Sequence, residues 1–405
     1  MSEDWPKGWY QNEKSGGSRA SDGATQDVSF SAPASGRAGL GGGAGSNWPQ
    51  QPPQRSGYGG GPQWGRRASG FQGDGDYARP SVWQRLFPPG RRGRRIALYV
   101  GALVLVLILA VAGSYFWVNG KLNRSVALPA FTGQSAGENW LIAGSDSRQG
   151  LSRTQIDALH VGFDTGTLNS DSLMLLHMGG PKSVLISIPR DSYVPIPGYG
   201  KNKINAALAF GGPRLLIQTV EEVTGLRIDH YMGIGFGGLV SVVNTVGGVR
   251  MCLPTAIHDS YSGVNLAAGC HNLNGTQSLA FVRDRHSFAT SDLQRIQDQR
   301  AFLKALLSKA TSPGVYLNPF TALPFASTAA SSLSVDKGTS LYDLTQAALA
   351  LRNPQTGTVP IATSVYVTDV GDALVWNRAQ ALALFNALRD NNAVPSGLLT
   401  GTKVG

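Results

Sequence analysis

The sequence predicts an α/β domain whose central sheet is covered on both faces by helices, behind one membrane-spanning helix and an unfolded N-terminal arm. Three observations carry this expectation. Glycine and proline supply 29 of the first 95 residues. An uncharged stretch of 23 residues runs from Ile96 to Val118. From Asn139 onward, short apolar runs alternate with segments of helical period.

The arm, residues 1–95, contains runs such as GLGGGAGSNWPQQPPQRSGYGGGPQWG. These have no apolar period, so they cannot bury enough surface to offset chain entropy. The formal net charge of the chain is +10, and the arm alone holds thirteen Lys/Arg against seven Asp/Glu. More than half of the basic excess therefore sits in the arm, and the rest of the chain is near balance. Only two cysteines occur, which excludes a disulfide-framework miniprotein and a cysteine-rich zinc module.

Residues 96–118 follow the cluster RRGRR at Arg91–Arg95. At roughly 1.5 Å per residue they span a hydrocarbon core of about 30 Å with some tilt. A position this far into the chain argues against a cleaved signal peptide. Four arginines precede the stretch and only Lys121 and Arg124 closely follow it, so the positive-inside rule places the arm in the cytoplasm. Tyr115, Phe116 and Trp117 supply an aromatic cluster for the far interface. The expectation is a single-pass plasma-membrane protein with its folded part exported. No nucleic-acid partner is expected, because the folded part never meets the genome.

Residues 119–137 read as a linker, 138–392 as the exported domain and 393–405 as a C-terminal tail. Buried strands are expected at Trp140–Ala143, Leu173–His177, Val184–Ile188, Tyr231–Ile234 and Val249–Leu253. Helical patterns lie at Ile204–Phe210, Pro213–Thr224, Gly237–Thr245, Gly275–Val282 and Asp292–Lys309. A helix near Leu341–Arg352, strands around Val359–Val367 and a helix from Asn377 to Asn391 close the domain. Cys252 and Cys270 both fall in it. In an oxidising compartment they could close a loop with 17 residues between them, worth about 3 kcal/mol; two separate buried thiols are the alternative.

The chemistry has few familiar markers. No Walker A loop, HExxH or paired CxxC occurs, and the six histidines show no metal-ligand spacing, so neither a zinc hydrolase nor a serine hydrolase with a GxSxG elbow is expected. Acids and arginines stand out instead. NWLIAGSDSR places Asp146 and Arg148 just past a strand, where open α/β sheets bind ligands. Asp171 precedes a second strand. Arg190, Asp191, Lys201 and Lys203 crowd a turn-rich loop after a third, and Arg190–Asp191 alone would pass for a surface ion pair. On the helix beginning at Asp292, Leu293, Ile296, Phe302, Leu303, Leu306 and Leu307 form one arc, and Asp292, Arg295 and Gln299 fall inside it. Asp292 is also suited to helix-start chemistry. An arginine on an inward face needs a carboxylate or a bound anion. Arg283 and Arg285 would point together on an extended stretch. Guanidinium forks match phosphate oxygens, and carboxylates suit a hard cation such as Mg²⁺. The residues themselves indicate a phosphate-handling, metal-assisted site beside a membrane.

GSDSR, SDSLMLLHM, SIPRDSYVPIPGYGKNKINAA, the IDHYMGIGF–GGV segment, LNGTQSLAFVRDR and SDLQRIQDQRAFLKAL follow one another in a single domain. In this ordered set the chain resembles the LytR–CpsA–Psr family of cell-wall glycopolymer phosphotransferases, from about Asn139 to Asn391. The long arm and arginine-rich flank resemble actinobacterial members. The resemblance implies a three-layer α/β/α sandwich around a mixed sheet. It further implies transfer of a glycan phosphate from a polyprenyl-pyrophosphate carrier to a peptidoglycan hydroxyl, with polyprenyl phosphate leaving. By motif, Asp146 and Asp171 would hold Mg²⁺ (or Mn²⁺). Arg190, Arg283, Arg285 and Arg295 would bind pyrophosphate with Gln299 in support, and Asp292 would orient those arginines or the metal shell. Asp191 could position or deprotonate the acceptor, or simply partner Arg190. The family's usual arginine two residues before the second aspartate is Asn169 here, within an unusual polar insertion from which Arg153 could substitute.

An apolar slot for the polyprenyl chain is expected along GIGFGGLVSVVNTVGGV, with Phe236, Leu239 and Val243 as lining or as ordinary core. The leading expectation is an Mg-dependent phosphotransferase, joining arabinogalactan to peptidoglycan if the source is a mycolic-acid bacterium. A polyprenyl-pyrophosphate hydrolase would use water in the same site, and acceptor dependence separates the two. A non-catalytic lipid- or wall-binding module would tolerate loss of Asp146 and Asp171. A membrane-tethered transcription regulator would need a recognition helix in the arm, which has none.

Overall fold

A computed structural model describes residues 91–159, 161, 170–284 and 291–399. The arm expected to be unfolded lies outside the described residues, except for Arg91–Arg95, which already belong to the first helix. That helix, α1 (Arg91–Asn119), is long and apolar enough to cross a membrane.

The chain then alternates strands and helices as its apolar patterns require. β1 (Asn123–Val126), β2 (Glu138–Ser145), α2 (Arg153–Ala158), β3 (Ser170–Met178) and β4 (Val184–Ile188) are followed by a hairpin of β5 (Tyr193–Ile196) and β6 (Gly200–Lys203). Next come α3 (Ala206–Thr224), β7 (His230–Ile234) and α4 (Phe236–Thr245). β8 (Val249–Leu253), β9 (Ile257–Asp259), β10 (Val264–Leu266) and β11 (Gly269–Leu273) form two short ribbons ahead of α5 (Gly275–Arg283). The chain continues through α6 (Ser291–Ala310), α7 (Pro319–Ser332), β12 (Leu333–Asp336), α8 (Leu341–Ala350) and β13 (Gln355–Thr358). It closes with β14 (Ile361–Val367), β15 (Gly371–Trp376) and α9 (Arg378–Arg389).

Seven strands make the central mixed sheet, in the order β1-β12-β7-β2-β3-β4-β13. Period-2 alternation divides its faces. Leu141, Ala143, Leu173, Leu175, Ile186 and Ile188 pack under α3 and α9. Trp140, Met174, Leu176 and Leu185 face the other way, against Leu303 and Leu307 of α6, Ala347 of α8 and Leu351 just past its end. The result is a three-layer α/β/α sandwich. A further cluster joins α4, α5 and α6 to the ribbons through Val243, Val249, Leu273, Leu279 and Phe302.

Two helical patterns, one ending at Phe210 and one starting at Pro213, are the halves of α3. They are separated by Gly211 and by Gly212, whose φ of 66° suits only a residue without a Cβ. Three expectations need correction. Residues 119–137, expected as a linker, contain β1, which pairs with β12 at the sheet edge. Four residues reading NRSV carry too little apolar period to announce a strand. Val249–Leu253 is a strand, but it pairs only with β11 outside the central sheet, because its faces alternate between buried and exposed. The expected tail from residue 393 packs Val394, Leu398 and Leu399 onto the main core.

Cys252 and Cys270 lie opposite each other on β8 and β11 and are joined by a disulfide. The antiparallel register brings their Cα atoms to 3.9 Å, so the bond locks a pairing that the ladder already sets.

Candidate functional site

Strand direction gathers the acids and arginines at one end of the sheet. β2 and β4 run the same way with β3 antiparallel between them. The carboxyl ends of β2 and β4 therefore flank the amino end of β3. Asp146 follows the last residue of β2 and is half-buried. Asp171 is the second residue of β3, next to Ser170, which pairs with Ser145. Arg190 stands two residues beyond Ile188, the partner of Leu173. Arg285 and Asn169 lie outside the described residues, as do the side chains of Asp171, Asp292 and Arg295, whose backbone positions alone are used.

Each loop at this end is held. Ser147 carbonyl accepts the N–H of Phe236 at 2.9 Å, which ties the loop after β2 to the start of α4. A Cβ on Gly237 would stand 2.1 Å from the Gln149 carbonyl, so only glycine permits this approach. Beyond β4, the Ser192 hydroxyl donates to the Pro189 carbonyl at 2.6 Å, and the Leu374 N–H donates to the Asp191 carbonyl at 2.8 Å. The Asp191 carboxylate accepts from Arg190 Nε at 3.3 Å on one oxygen and meets Lys203 Nζ at 3.2 Å on the other. All three side chains are about one-fifth exposed. Asp191 is thus placed as the shared anion between two cations.

A cavity of about 420 Å³ opens beside this end. Phe302, Leu303, Leu306 and Leu307 of α6 line it together with Phe325 and Ala329 of α7, and Leu344 and Ala348 of α8. Its few polar contributors include Ser145, Ser172, Arg283 and Gln299. Of the three residues that could be lining or core, Phe236 and Leu239 line it, whereas Val243 is fully buried in the core behind and Val242 takes the lining position. Arg283, the last residue of α5, donates to the Leu159 carbonyl at 2.8 Å and lies 5.3 Å from the centre of the Phe236 ring. Gln299 Nε2 donates to the Val282 carbonyl at 3.2 Å. Both side chains are therefore fixed by backbone acceptors before any ligand arrives.

One site-end residue escaped the sequence reading. Arg300 donates from Nε to Ser187 Oγ at 2.9 Å, and from Nη2 to Thr358 Oγ1 at 2.6 Å and to the Gly357 carbonyl. It follows Gln299 and clamps α6 to the ends of β4 and β13, its partner Ser187 lying three residues before Arg190. Burial lowers its pKa to about 10. Counting about 100° per residue from Asp292 puts Arg300 at about 80°, inside the same apolar arc as Arg295, so the signal was present. Arg153 is exposed on the first turn of α2.

The backbone puts Asp146 and Asp171 at adjacent strand ends, and two carboxylates so placed would suit Mg²⁺, which takes one or two carboxylates and completes its shell with water and phosphate. Among the described residues no group of three or more His, Cys, Asp or Glu could form an all-protein metal cage. The pentapeptide GQSAG at Gly133–Gly137 has the letters of a serine-hydrolase elbow, but it enters a strand instead of leaving one for a helix. Ser135 Oγ there accepts from Asn139 Nδ2 at 3.2 Å and from the Arg227 N–H at 3.3 Å, a bracing role.

Comparison with known proteins agrees with this architecture. The chain is 46% identical over 322 residues to a probable cell wall biosynthesis protein, LcpB, of Corynebacterium glutamicum, covering 78% of this chain and 75% of that one. It is 29% identical over 245 residues to a polyisoprenyl-teichoic acid–peptidoglycan teichoic acid transferase, TagU, of Oceanobacillus iheyensis, covering 55% and 72%. Among solved structures, a LytR-Csp2A-Psr enzyme from Actinomyces oris shares the fold with a TM-score of 0.52 at 21% identity, over 66% of this chain and 96% of that one. The LytR_cpsA_psr family profile matches residues 118–387, two-thirds of the sequence. With the motifs, the sandwich and this match in agreement, the chain belongs to the LytR–CpsA–Psr family.

Proposed function

We propose that the chain is a membrane-anchored phosphotransferase that moves a glycopolymer phosphate from a polyprenyl-pyrophosphate carrier to a peptidoglycan hydroxyl. One observation carries the reading. An apolar cavity, suited to a polyprenyl tail, includes Arg283 and Gln299 in its lining at the sheet end that holds Asp146, Asp171 and Arg190. Relatives named as transferases of polyisoprenyl-linked teichoic acid to peptidoglycan support it.

In this reading the cavity walls hold the lipid by hydrophobic burial, worth about 0.8 kcal/mol per methylene. Arg283, Gln299 and Arg190, with Arg285 and Arg295 by motif, hold the pyrophosphate oxygens. Asp191 and Lys203 set the orientation of Arg190, and by motif Asp292 would orient the arginines or the metal shell. Asp146 and Asp171 would hold Mg²⁺, which when bound supplies positive charge against the pyrophosphate. The acceptor hydroxyl oxygen bonds to the glycan-side phosphorus as the bond to the polyprenyl-phosphate oxygen breaks; polyprenyl phosphate leaves and the hydroxyl proton passes to solvent. Positioning and charge stabilisation account for the rate. α1 would anchor the domain with the arm in the cytoplasm.

Full chain in detergent with Mg²⁺, labelled polyprenyl-pyrophosphate oligosaccharide and peptidoglycan tests the proposal. Label passing to peptidoglycan, and polyprenyl phosphate released only when peptidoglycan is present, is the expected result. Release without acceptor would replace the transferase with a hydrolase, and bound but unconsumed donor would indicate a binding module.

A further inference from the structure

The junction between α1 and the domain is rigid, against the expectation of a linker. Arg124 donates from Nη1 to the Asn119 carbonyl at 3.0 Å, from Nη2 to Asn119 Oδ1 at 2.8 Å, and from Nε to the Thr339 carbonyl at 2.9 Å. Asn119 Oδ1 also accepts the N–H of Leu341, the first residue of α8, at 2.9 Å. Val118 and Leu122 are buried with Ala330 near the end of α7 and Val335 of β12. The last turn of α1 is therefore bolted to α7 and α8 with no free chain between them. Where α1 leaves the bilayer, these two helices must lie at its surface.

The helix held there is unusual in composition. Residues 310–335 contain no Asp, Glu, Lys or Arg, although 15% of the chain is charged and about four such residues would be expected over this length. One face of α7 walls the cavity through Phe325, Ala326, Ala329 and Ala330. On its outward side and just before it, Leu317 is 70%, Phe320 87% and Leu323 38% exposed. Lys121, beside the junction and 5.5 Å from the centre of the Trp117 ring, places a cation and an aromatic ring together, as at a lipid headgroup layer.

We infer that α7 is a membrane-contact helix, with Leu317, Phe320 and Leu323 seated in the headgroup region of the outer leaflet. Its inner face then forms a cavity wall held at the lipid surface, so that a lipid tail enters the cavity from the bilayer without crossing water. Apolar contact with no charged residue to desolvate suits this shallow insertion. The inference rests on the reading that α1 spans the membrane, and the experiment separates the two.

Both native cysteines are in a disulfide, so a single introduced cysteine takes an environment-sensitive fluorophore specifically. Full chain carrying Phe320→Cys, Leu317→Cys, Leu107→Cys or Tyr366→Cys is reconstituted into phosphatidylcholine–phosphatidylglycerol vesicles containing shallow or deep spin-labelled lipids. Labels at 317 and 320 should shift to shorter wavelength and lose roughly half their emission to shallow spin labels. The label at 107 should respond to deep spin labels, and that at 366, which is 76% exposed on β14, to neither. Quenching at 107 with none at 317 and 320 overturns this inference alone. A wavelength shift at 320 without lipid quenching assigns the face to another protein surface and also overturns it. No quenching at 107 removes the membrane span and this inference together.

Discussion

Glu221 offers a quantitative test of the packing around α3. It lies in the last turn of that helix, 2% exposed, and its Oε1 accepts the Ile228 N–H at 2.9 Å. Burial pushes its carboxyl up from 4.5 to about 7, against the opposing effects of that N–H and of the Arg227 charge. Below pH 4.5 the folded and unfolded chains both carry the proton, and the folded state bears no penalty. Between 4.5 and about 7 the unfolded chain ionises first, so stability falls as pH rises; above about 7 the deficit is constant. At 1.36 kcal/mol per unit the loss is about 3 kcal/mol. Glu221→Gln keeps the acceptor for Ile228 and removes the charge. Urea unfolding of the full chain in detergent, wild type and variant at pH 5 and pH 8, measures the effect as a difference of differences, which cancels other titrating groups. Because the unfolded carboxyl is already largely ionised at pH 5, the variant should gain about 2.5 kcal/mol on the wild type between the two pH values. An unchanged gap would refute the assignment of a buried, displaced carboxyl.

Other consequences are direct. Arg300→Met should destabilise the domain by about 2 kcal/mol, since it strands the Gly357 carbonyl and frees two hydroxyls, and should slow transfer by loosening α6; chemical unfolding and rate measurements check both. Replacing Cys252 and Cys270 by serine together should cost about 3 kcal/mol on the chain-entropy account, read as a lower unfolding midpoint. Asp146→Asn should raise the Mg²⁺ concentration needed for half-maximal transfer while leaving the melting temperature near that of wild type. His230, raised mainly by its bond and charge pairing with Asp336 despite burial, and Asp336, lowered by the same pair and by Thr339 and Tyr231, stabilise jointly between their pKa values. Stability from the pair should therefore fall as pH rises through the raised His230 pKa, and His230→Asn should remove that part of the slope in the same unfolding series.

Most of the sandwich was legible because its strands are buried runs such as VLISI and its helices keep a clear 3.6 period. The strand ends that carry Asp146, Asp171 and Arg190 followed from those runs. β1 escaped because an edge strand with one anchored side chain, Val126, has almost no pattern to read. Arg300 escaped for a different reason: it falls in the apolar arc of α6, and a periodicity cannot tell a strut to Ser187, Gly357 and Thr358 from a residue that waits for a ligand. The rigid foot of α1 depends on Arg124 reaching Asn119 and Thr339, contacts more than 200 residues apart in part, which no local signal encodes.

The proposed function requires the cavity to seat a polyprenyl chain with its pyrophosphate at Arg283 and Gln299. A polyprenyl-pyrophosphate oligosaccharide carrying a photoreactive group near the end of its lipid tests it most directly, with cross-linked peptides of the full chain identified by mass spectrometry. Labelling is expected on α4, α6 and α7, at positions around Leu239, Leu306 and Ala329, with suppression by excess unlabelled donor. Labelling confined to α1, or spread over the surface and insensitive to competitor, would contradict it.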